Sequence, residues 1–488
     1  MIETEVSIHD NFSLEFKTGF RTDNKEEDIN EFKINMWIFA PNSLDLNSTT
    51  YSKSQFYKDI KKNIRLITPI YSLDEILKEG RGPLPRLQKA IDALLINPDD
   101  ASVEENYLYQ IKMLQCVFKS ALYREVQEMN FILDKIELER LIVAFVNNLK
   151  EFVIRYREEG EDLDNPVITQ KQLDYFSFGD DFMGNILEQY SFRVLHMIDR
   201  KGICVHLRPM LLKLISDEVE YRKQKGYRLL VEGDEEHNSM VIWQRMALKK
   251  FVESDLYLHT IKKKDGAIAE QVYYGIAAGI AMIFATVISF FATQRLGNFT
   301  MDLFVVLVVS YIFKDRIKDV ARYYFSSVLS KRYFDTKLNL SVRNQEIGWM
   351  KESFDFVQEA KVPEAVMNLR NRTPLVEAEN EIYNENVILY RKWVSLSREE
   401  IERYKEYRLS GINDFTRINL MNFVQKMDNP SIPLSMYDNS EGDYKDIKGT
   451  KIYLLYFILQ FDSDSGTEYK KYRVLFNRNG ITNVRRVN

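Results

Sequence analysis

The chain has 488 residues, 45% hydrophobic and 28% charged, with a mean hydropathy of −0.32, which excludes a many-pass transporter. A length of this order exceeds a single core, and about three domains are expected. With 67 basic and 72 acidic residues the whole-chain field selects neither nucleic acid nor anionic lipid.

The N-terminal MIETEVSIHDNFSLEF is acidic where a secretory signal is basic and lacks an apolar core, so the first flank is expected to stay in the cytoplasm. Cys116 and Cys204 form no C-x-x-C pair, which fits a reducing compartment. Residues 1–84 read as a strand-rich N-terminal segment. NFSLEFKTGF, EFKINMWIFAP and NIRLITP combine β-branched and aromatic residues between Asn, Asp, Gly and Pro, with TDNKEED as a polar loop. GRGPLPR, residues 80–86, marks a boundary.

Residues 85–270 read as a cytoplasmic helical domain. Ser102-x-x-Glu105 has the capping-box pattern, followed by Tyr107, Ile111, Leu114, Phe118 and Leu122 at helical spacing. Leu138, Ile142, Phe145, Leu149, Phe152 and Tyr156 mark a second helix. Such stripes are bundle core, with a partner groove as the alternative. Pro209 starts or interrupts another helix, and the loop VEGDEEHNS precedes a last one carrying Leu248, Phe251, Val252 and Leu256. Gly266 is a candidate joint beyond it.

Residues 271–314 read as a two-helix transmembrane hairpin. Val272 to Ala292 is an uncharged run of 21 residues, about 31 Å as a helix and enough to cross the hydrocarbon core. The second apolar segment, Phe299 to Phe313, carries Asp302. Counted from Leu296 it covers 18 residues, roughly 27 Å, with re-entrant burial as the alternative. Lys262, Lys263 and Lys264 precede the pair, and Lys314, Arg316, Lys318 and Arg322 follow it, while the connecting loop holds Arg295 alone. The positive-inside rule then gives two spans with both termini cytoplasmic. Asp302 falls in the first turn of the second helix, where it suits the helix dipole and can pair with Arg295; an ion-pathway carboxylate is the competing reading. Gly275 and Gly279 form one small-residue ladder, and Ala277, Ala281, Ala285 and Ser289 another. Small residues let helices approach closely in lipid, either within the hairpin or between copies of the chain.

Residues 315–334 read as an amphipathic exit helix, with Ile317, Val320, Ala321, Tyr324, Phe325, Val328 and Leu329 on one face. It docks on the preceding helical domain or on a second copy, or it lies along the anionic inner leaflet. Residues 335–488 read as a cytoplasmic α+β domain ending in an antiparallel sheet. ENVILYRKWVSLS, TRINLMNFVQKM, TKIYLLYFILQF and EYKKYRVLFN are its strands, with helices around EIGWMKESFDFVQEA and SREEIERYKEYR. DSDSG and NRNG supply turns. The strand-rich ends of the chain are candidates to share one sheet or sandwich. The fold class is therefore an α+β membrane protein.

Phosphate-cradling, serine-hydrolase and zinc-protease motifs are absent from the sequence. His196, Cys204 and His206 are soft-metal residue types at no usual zinc spacing, and their apolar neighbours point to packed core. His237, in GDEEH, lies beside Glu235 and Glu236 in a solvated loop; His9 and His259 have no suggestive neighbours. Asp174, Asp180 and Asp181 cluster, as do the acids of DSDSG around Asp462, without a full ligand set for a divalent ion. YRKQKGYR and YKKYRVLFNRNG interleave cations with aromatics and read as solvated surface.

The hairpin followed by SYIFKDRIKD resembles bacterial inner-membrane proteins with a helical hairpin and large cytoplasmic flanks. The resemblance covers about a tenth of the chain. It implies a bacterial inner-membrane location and carries over no activity. The resulting expectation is a membrane-anchored cytoplasmic binding, scaffold or sensor protein, with no catalytic residue, cofactor or metal assigned. Its expected partners are the lipid bilayer, further copies of the chain, and an unidentified cytoplasmic protein or ligand, with no nucleic acid. The alternatives are a membrane-disrupting effector of a stress or anti-phage type, and a metal-dependent hydrolase using Asp180 and Asp181.

Overall fold

A computed structural model describes residues 2–487 apart from 23–27, 81, 297–299, 344, 383, 404–406, 408, 441 and 464–465. In chain order the strands are β1 (Ile2–Asp10), β2 (Ser13–Arg21), β3 (Ile29–Ala40), β4 (Ile60–Leu66), β5 (His259–Lys263), β6 (Thr336–Val342) and β7 (Gln345–Val357). They continue as β8 (Asn386–Ser397), β9 (Gly411–Asn419), β10 (Ser431–Asp438), β11 (Asp443–Thr450), β12 (Tyr453–Ser463), β13 (Gly466–Asn477) and β14 (Gly480–Val487). The helices up to the apolar region are α1 (Lys53–Asp59), α2 (Leu73–Leu77), α3 (Pro83–Ile96), α4 (Ala101–Phe131), α5 (Lys135–Glu161), α6 (Gln170–Lys201), α7 (Arg208–Gln224) and α8 (Glu235–Glu253). Beyond them lie α9 (Ala267–Leu296), α10 (Met301–Arg332), α11 (Glu364–Arg370), α12 (Pro374–Ile382), α13 (Arg398–Glu402) and α14 (Met421–Val424).

The chain divides into two compact units, one of Met1–Ile64, His259–Ile401 and Gly411–Asn488, the other of Arg65–Leu258 and Glu402–Ser410. The first is built on two antiparallel sheets. The larger has eight strands in the order β14-β13-β12-β3-β8-β7-β6-β5, and the smaller four in the order β1-β2-β9-β4. Segments that read along the chain as separate ends meet here: N-terminal β3 hydrogen-bonds β12 on one edge, with Met36 opposite Leu459, and β8 on the other, with Trp37 opposite Leu389. The two sheets pack face to face, Phe16 of β2 lying 5.4 Å from Phe457 of β12 and Phe20 the same distance from Phe32 of β3. Their strands alternate inward and outward residues, which is how one face of a sheet is buried. β10 and β11 form a separate exposed hairpin.

The region around EIGWMKESFDFVQEA, expected to be helical, is strand β7. Ile347, Met350 and Phe354 are all buried, and their i, i+3, i+7 spacing imitates a helix. The spacing arises from a β-bulge: Leu340 pairs with Gly348 and Ser341 with Glu346, so Ile347 is an extra residue and the inward parity shifts. TRINLMNFVQKM is likewise divided, the strand ending at Asn419 and a single helical turn, α14, following. In NRNG, Asn477 pairs with Gly480, leaving Arg478 and Asn479 as the turn. Gly480 sits at φ +130, where a Cβ would lie 2.3 Å from the Asn11 carbonyl oxygen, and Ile481 N–H donates to that same oxygen.

The second unit is a helical bundle. Phe118 of α4 stacks on Phe152 of α5 at 4.1 Å, and Tyr156 on Phe176 of α6 at 4.6 Å, so the stripes assigned to bundle core are buried. The cap of α4 is Asp100 instead of Ser102; its carboxylate accepts from Ser102 N–H and from the Ser102 hydroxyl, both at 2.8 Å. Pro209 lies in the first turn of α7, where its missing N–H costs no hydrogen bond. Of SREEIERYKEYR, Arg398–Glu402 form the short α13, residues 404–406 and 408 lie outside the described residues, and Tyr407 is buried in the bundle with its hydroxyl 2.9 Å from Gln110 Oε1. Arg81 of GRGPLPR and most of TDNKEED also lie outside the described residues.

Gly411 opens β9 at φ +141, and a Cβ there would lie 1.9 Å from the Phe20 carbonyl oxygen of β2. Gly411→Ala is expected to separate β2 from β9 and cost on the order of 3 kcal/mol, measured by chemical denaturation.

Candidate functional site

The feature that departs most from a globular surface is the pair α9 and α10. α9 is the one helix among the described residues long and apolar enough to cross a membrane, and only 11% of its most apolar 18-residue stretch is buried. The second apolar segment is not a separate span followed by a separate exit helix. α10 runs unbroken from Met301 to Arg332 and takes in both, because nothing between Phe313 and Lys314 breaks a helix: there is no Gly or Pro there, and only the polarity changes. The connecting residues 297–299 and the side chain of Leu329 lie outside the description.

The helices pack antiparallel. Tyr273 meets Phe325 at 5.2 Å between ring centroids, the Arg322 guanidinium sits 5.5 Å over Tyr274, and Ile288 and Ser310 line one apolar groove with Phe284, Val305, Val306, Val309 and Phe313. The two small-residue ladders separate. Ala277 and Ala281 are buried against α10, with Ala285 and Ser289 half-buried beyond them, and Ser289 donates back to the Ala285 carbonyl at 2.8 Å. Gly275 and Gly279 are exposed, and a Cβ at either would touch nothing within 4 Å. From the former exit-helix face, Ile317, Ala321 and Phe325 are half-buried, whereas Val320, Tyr324 and Val328 are exposed. The partner of that face is thus, in part, the first half of α9.

Antiparallel packing with Tyr273 beside Phe325, and with Phe284 and Ile288 lining one groove with Val309, Ser310 and Phe313, sets Lys314 level with Phe284 and Arg316 level with Met282. The charged part of α10 therefore runs beside the middle of the uncharged run of α9. Lys314 stacks 3.7 Å from the Tyr311 ring centroid, Lys318 pairs with Asp315 at 3.2 Å, and Arg316, Asp319 and Arg322 are exposed. At the tip, Arg295 lies in the last turn of α9 and Asp302 in the first turn of α10; among the described residues no ion pair joins them. At the base, Lys262 and Lys263 belong to β5, Lys262 lying 5.1 Å over Tyr57, and Lys264 pairs with Glu270. β5 pairs with β6, Lys263 opposite Lys337, so the helix pair leaves one edge of the eight-stranded sheet and returns to that same edge. Gly266 fits the joint: at φ +69 its Cβ position would lie 2.6 Å from the Tyr333 ring.

The acids singled out in the bundle are already satisfied. Asp180 accepts from Arg157 at 3.0 Å and from the hydroxyls of Tyr221 and Tyr227, and Asp181 from Asn185, Arg222 and Gln244. All four carboxylate oxygens are occupied, and Asp174 is exposed, bound by Gln170. Burial raises the neighbouring Glu218 carboxyl above its usual value despite the two-pronged hold of Arg157. Arg222, within YRKQKGYR, is 1% exposed and pairs with Asp181 and Glu188, so it is interior, while Lys223, Gln224, Lys225 and Arg228 of the same stretch are exposed. Lys471 of the second basic-aromatic stretch is also buried, donating to the Arg370 carbonyl at 3.1 Å.

His196 is exposed on α6, Cys204 is buried, and His206 faces Glu139 at 3.0 Å. His237 caps inward, its Nε2 2.8 Å from the Leu229 carbonyl. His9 lies 3.9 Å from Glu15, and His259 is exposed on β5. No group of three or more His, Cys, Asp or Glu with metal-binding geometry occurs among the described residues. Asp462 accepts from Thr467 at 2.8 Å, and the middle of DSDSG lies outside the description.

Two charged constellations were not singled out from the sequence. Between the sheets, Lys62 pairs with Glu352 and Lys392 with Asp414, Glu352 and Asp414 being 0% and 1% exposed, and the Tyr390 hydroxyl donates to Glu352 at 2.6 Å. Burial alone raises the Glu352 carboxyl, but the ammoniums of Lys62 and Lys392 overcome it and hold the group below the usual glutamate value. The signal was parity: Lys392 alternates in phase with Ile388, Tyr390, Val394 and Leu396, all buried. Second, a cleft of about 280 Å³ is lined by Arg370, Asn380, Glu385, Tyr453 and Tyr456. Arg370 is held by Glu385 at 2.6 Å and lies 3.8 Å over Tyr456, and Arg372 bridges Glu385 and Glu359.

Comparison with protein-family models, with curated proteins and with solved structures finds no match.

Ala281→Leu is expected to overpack the helix pair and lower stability by about 1–3 kcal/mol in thermal unfolding, while Gly279→Leu leaves the pairing of α9 with α10 intact. For Glu352 the folded value is depressed, so its contribution to stability is present above the ordinary value of 4.5 and lost as pH falls through the folded value. Denaturation midpoints should therefore drop on acidification below about pH 4.5, and Glu352→Gln should both weaken that dependence and cost about 3–5 kcal/mol at neutral pH.

Proposed function

We propose that this chain is a membrane-anchored scaffold or sensor of the bacterial inner membrane, its folded flanks held on the cytoplasmic side by α9 and α10. The observation that carries this is α9: a helix of 30 residues whose apolar surface is left uncovered by the rest of the chain. A core helix of a soluble protein buries such a surface, and a signal sequence lies at a chain's start. An uncovered apolar helix of this length supports burial in lipid.

The sheet pairing supports a reading with two spans. β5 precedes the helix pair and β6 follows it, and the two exchange backbone hydrogen bonds. A chain that left the cytoplasm through α9 must therefore come back through α10. The lysines at the base and the single cation Arg295 in the tip support the same orientation. The resemblance of the hairpin and SYIFKDRIKD to bacterial inner-membrane proteins agrees with the location. The sandwich, the bundle and the cleft beside Tyr456 are the surfaces that would engage a cytoplasmic protein or small ligand, and copies of the chain assemble through the membrane element.

Because Lys263 and Lys337 are paired, residues 264–336 can be replaced by a two-residue Asn-Gly turn that keeps this pair, with the loss of the Thr336–Glu352 pair and of the Asp335 contacts to Lys53 and Phe354 N–H. The full chain is expected in the membrane fraction after carbonate washing, and the shortened chain in the soluble fraction with an unchanged folded core. A full chain that washes off, or a shortened chain that still sediments with membrane, overturns the anchoring.

A further inference from the structure

We propose that a second copy of the chain covers the charged flank of α10, so that the helix pair crosses the bilayer only as an oligomer with a shared polar interior. This rests on the anchoring reading above, and it specifies the partner of that same element.

The argument starts from register. When the uncharged run Val272 to Ala292 spans the hydrocarbon core, its midpoint is Met282, and Arg316 of α10 lies at that level. Lys314, Lys318, Asp315, Asp319 and Arg322 lie within a few turns of it. The uncharged part of α10 between Asp302 and Lys314 is 11 residues, about 16 Å, or roughly half the core. A single pair would thus hold six charges against acyl chains, with Arg316, Asp319 and Arg322 on its exposed side. Ionised side chains in membranes face a bundle interior or an aqueous cavity, or pair with one another.

The sheet denies the simplest escape, since α10 must return to the side on which α9 began. Within one copy the acids cannot neutralise the flank, because four cations, Lys314, Arg316, Lys318 and Arg322, stand against Asp315 and Asp319. Across copies the exposed Asp319 reaches the cations of its neighbour while Asp315 stays with Lys318, and the residual positive charge is left to water in the shared interior. The opposite side of the pair fits lipid: Ile276, Ile280, Met282, Ile283 and Phe284 of α9 are apolar and exposed. The glycine ladder is on that lipid-facing side and is not needed for this contact.

The test uses the full chain in membranes, with single cysteines added; the native Cys116 and Cys204 are buried. Thr293→Cys reports the tip, Asp319→Cys the charged flank, and Ile283→Cys the outer face of α9. In right-side-out vesicles the tip thiol should react with an impermeant maleimide, native mass spectrometry from nanodiscs should give two or more copies, and oxidation should crosslink position 319 at least tenfold more than position 283. Replacing all six flank charges by Leu should leave the tip labelled and yield single copies. A labelled tip with single copies of the unmodified chain overturns the proposal, as does crosslinking favoured at position 283. An unlabelled tip on a chain that stays membrane-bound also overturns it, in favour of shallow insertion, and leaves the anchoring standing. A chain absent from the membrane overturns both.

Discussion

Everything in the sheet-based unit depends on the backbone pairing of β3 along both of its edges. An N-terminal strand sits between β8 and β12, so Asn35 faces Arg391 on one side and Gln460 on the other. Residues more than 350 positions apart must meet before the centre of the larger sheet exists. Closing such long loops adds little to the equilibrium cost, since that cost grows only logarithmically with length, but it makes folding slow. The same sheet carries β5 and β6 at its far edge, and hence the two helices that run between them. The helix pair and the folded core are therefore one construction, in which α9 and α10 form an extended connection between two neighbouring strands.

The parts legible in the sequence are those where period and burial agree. β3, β8, β12 and β13 are rich in β-branched and aromatic residues over strand-length runs and read as strands; α4 and α5 carry unbroken helical stripes and read as helices. β7 was misread because its bulge at Ile347 creates helical spacing inside a strand. Asp100 took the cap from Ser102 because Asn-Pro-Asp-Asp offers an earlier acceptor, and a pattern that looks only for Ser or Thr passes over it. The exit helix was divided from the second apolar segment by polarity alone, although a helix continues through a change of polarity when no breaker intervenes. Arg222 and Lys392 were hidden for the same reason: charge in a sequence suggests solvent, and only phase with buried neighbours shows that a cation is interior.

Both units bury ion pairs, and in both the pairs are complete. The bundle sets Arg157 and Arg222 against Asp180, Asp181, Glu188 and Glu218; the sandwich sets Lys62 and Lys392 against Glu352 and Asp414. Ion pairs of this kind add little net stability over apolar packing, but removing one partner is severe because the other charge is stranded. Gly184 shows how closely the bundle is fitted around its network, for a Cβ there would lie 2.3 Å from a Glu218 carboxylate oxygen. The sequence pattern around these acids suggested metal chemistry, and the folded geometry gives each oxygen a protein donor instead.

Synthesis proceeds from the N-terminus, and the placement of β3 gives that direction a consequence. When Arg332 leaves the ribosome, α9 and α10 are complete, yet neither β8 nor β12 has been made. β3 then carries Phe32, Ile34, Met36, Ile38 and Phe39 with no strand on either edge to cover its backbone. The sheet cannot close around β3 until about residue 462 has emerged. The helix pair is thus complete before the flank that precedes it can fold, and that flank matures beside two apolar helices that are already made.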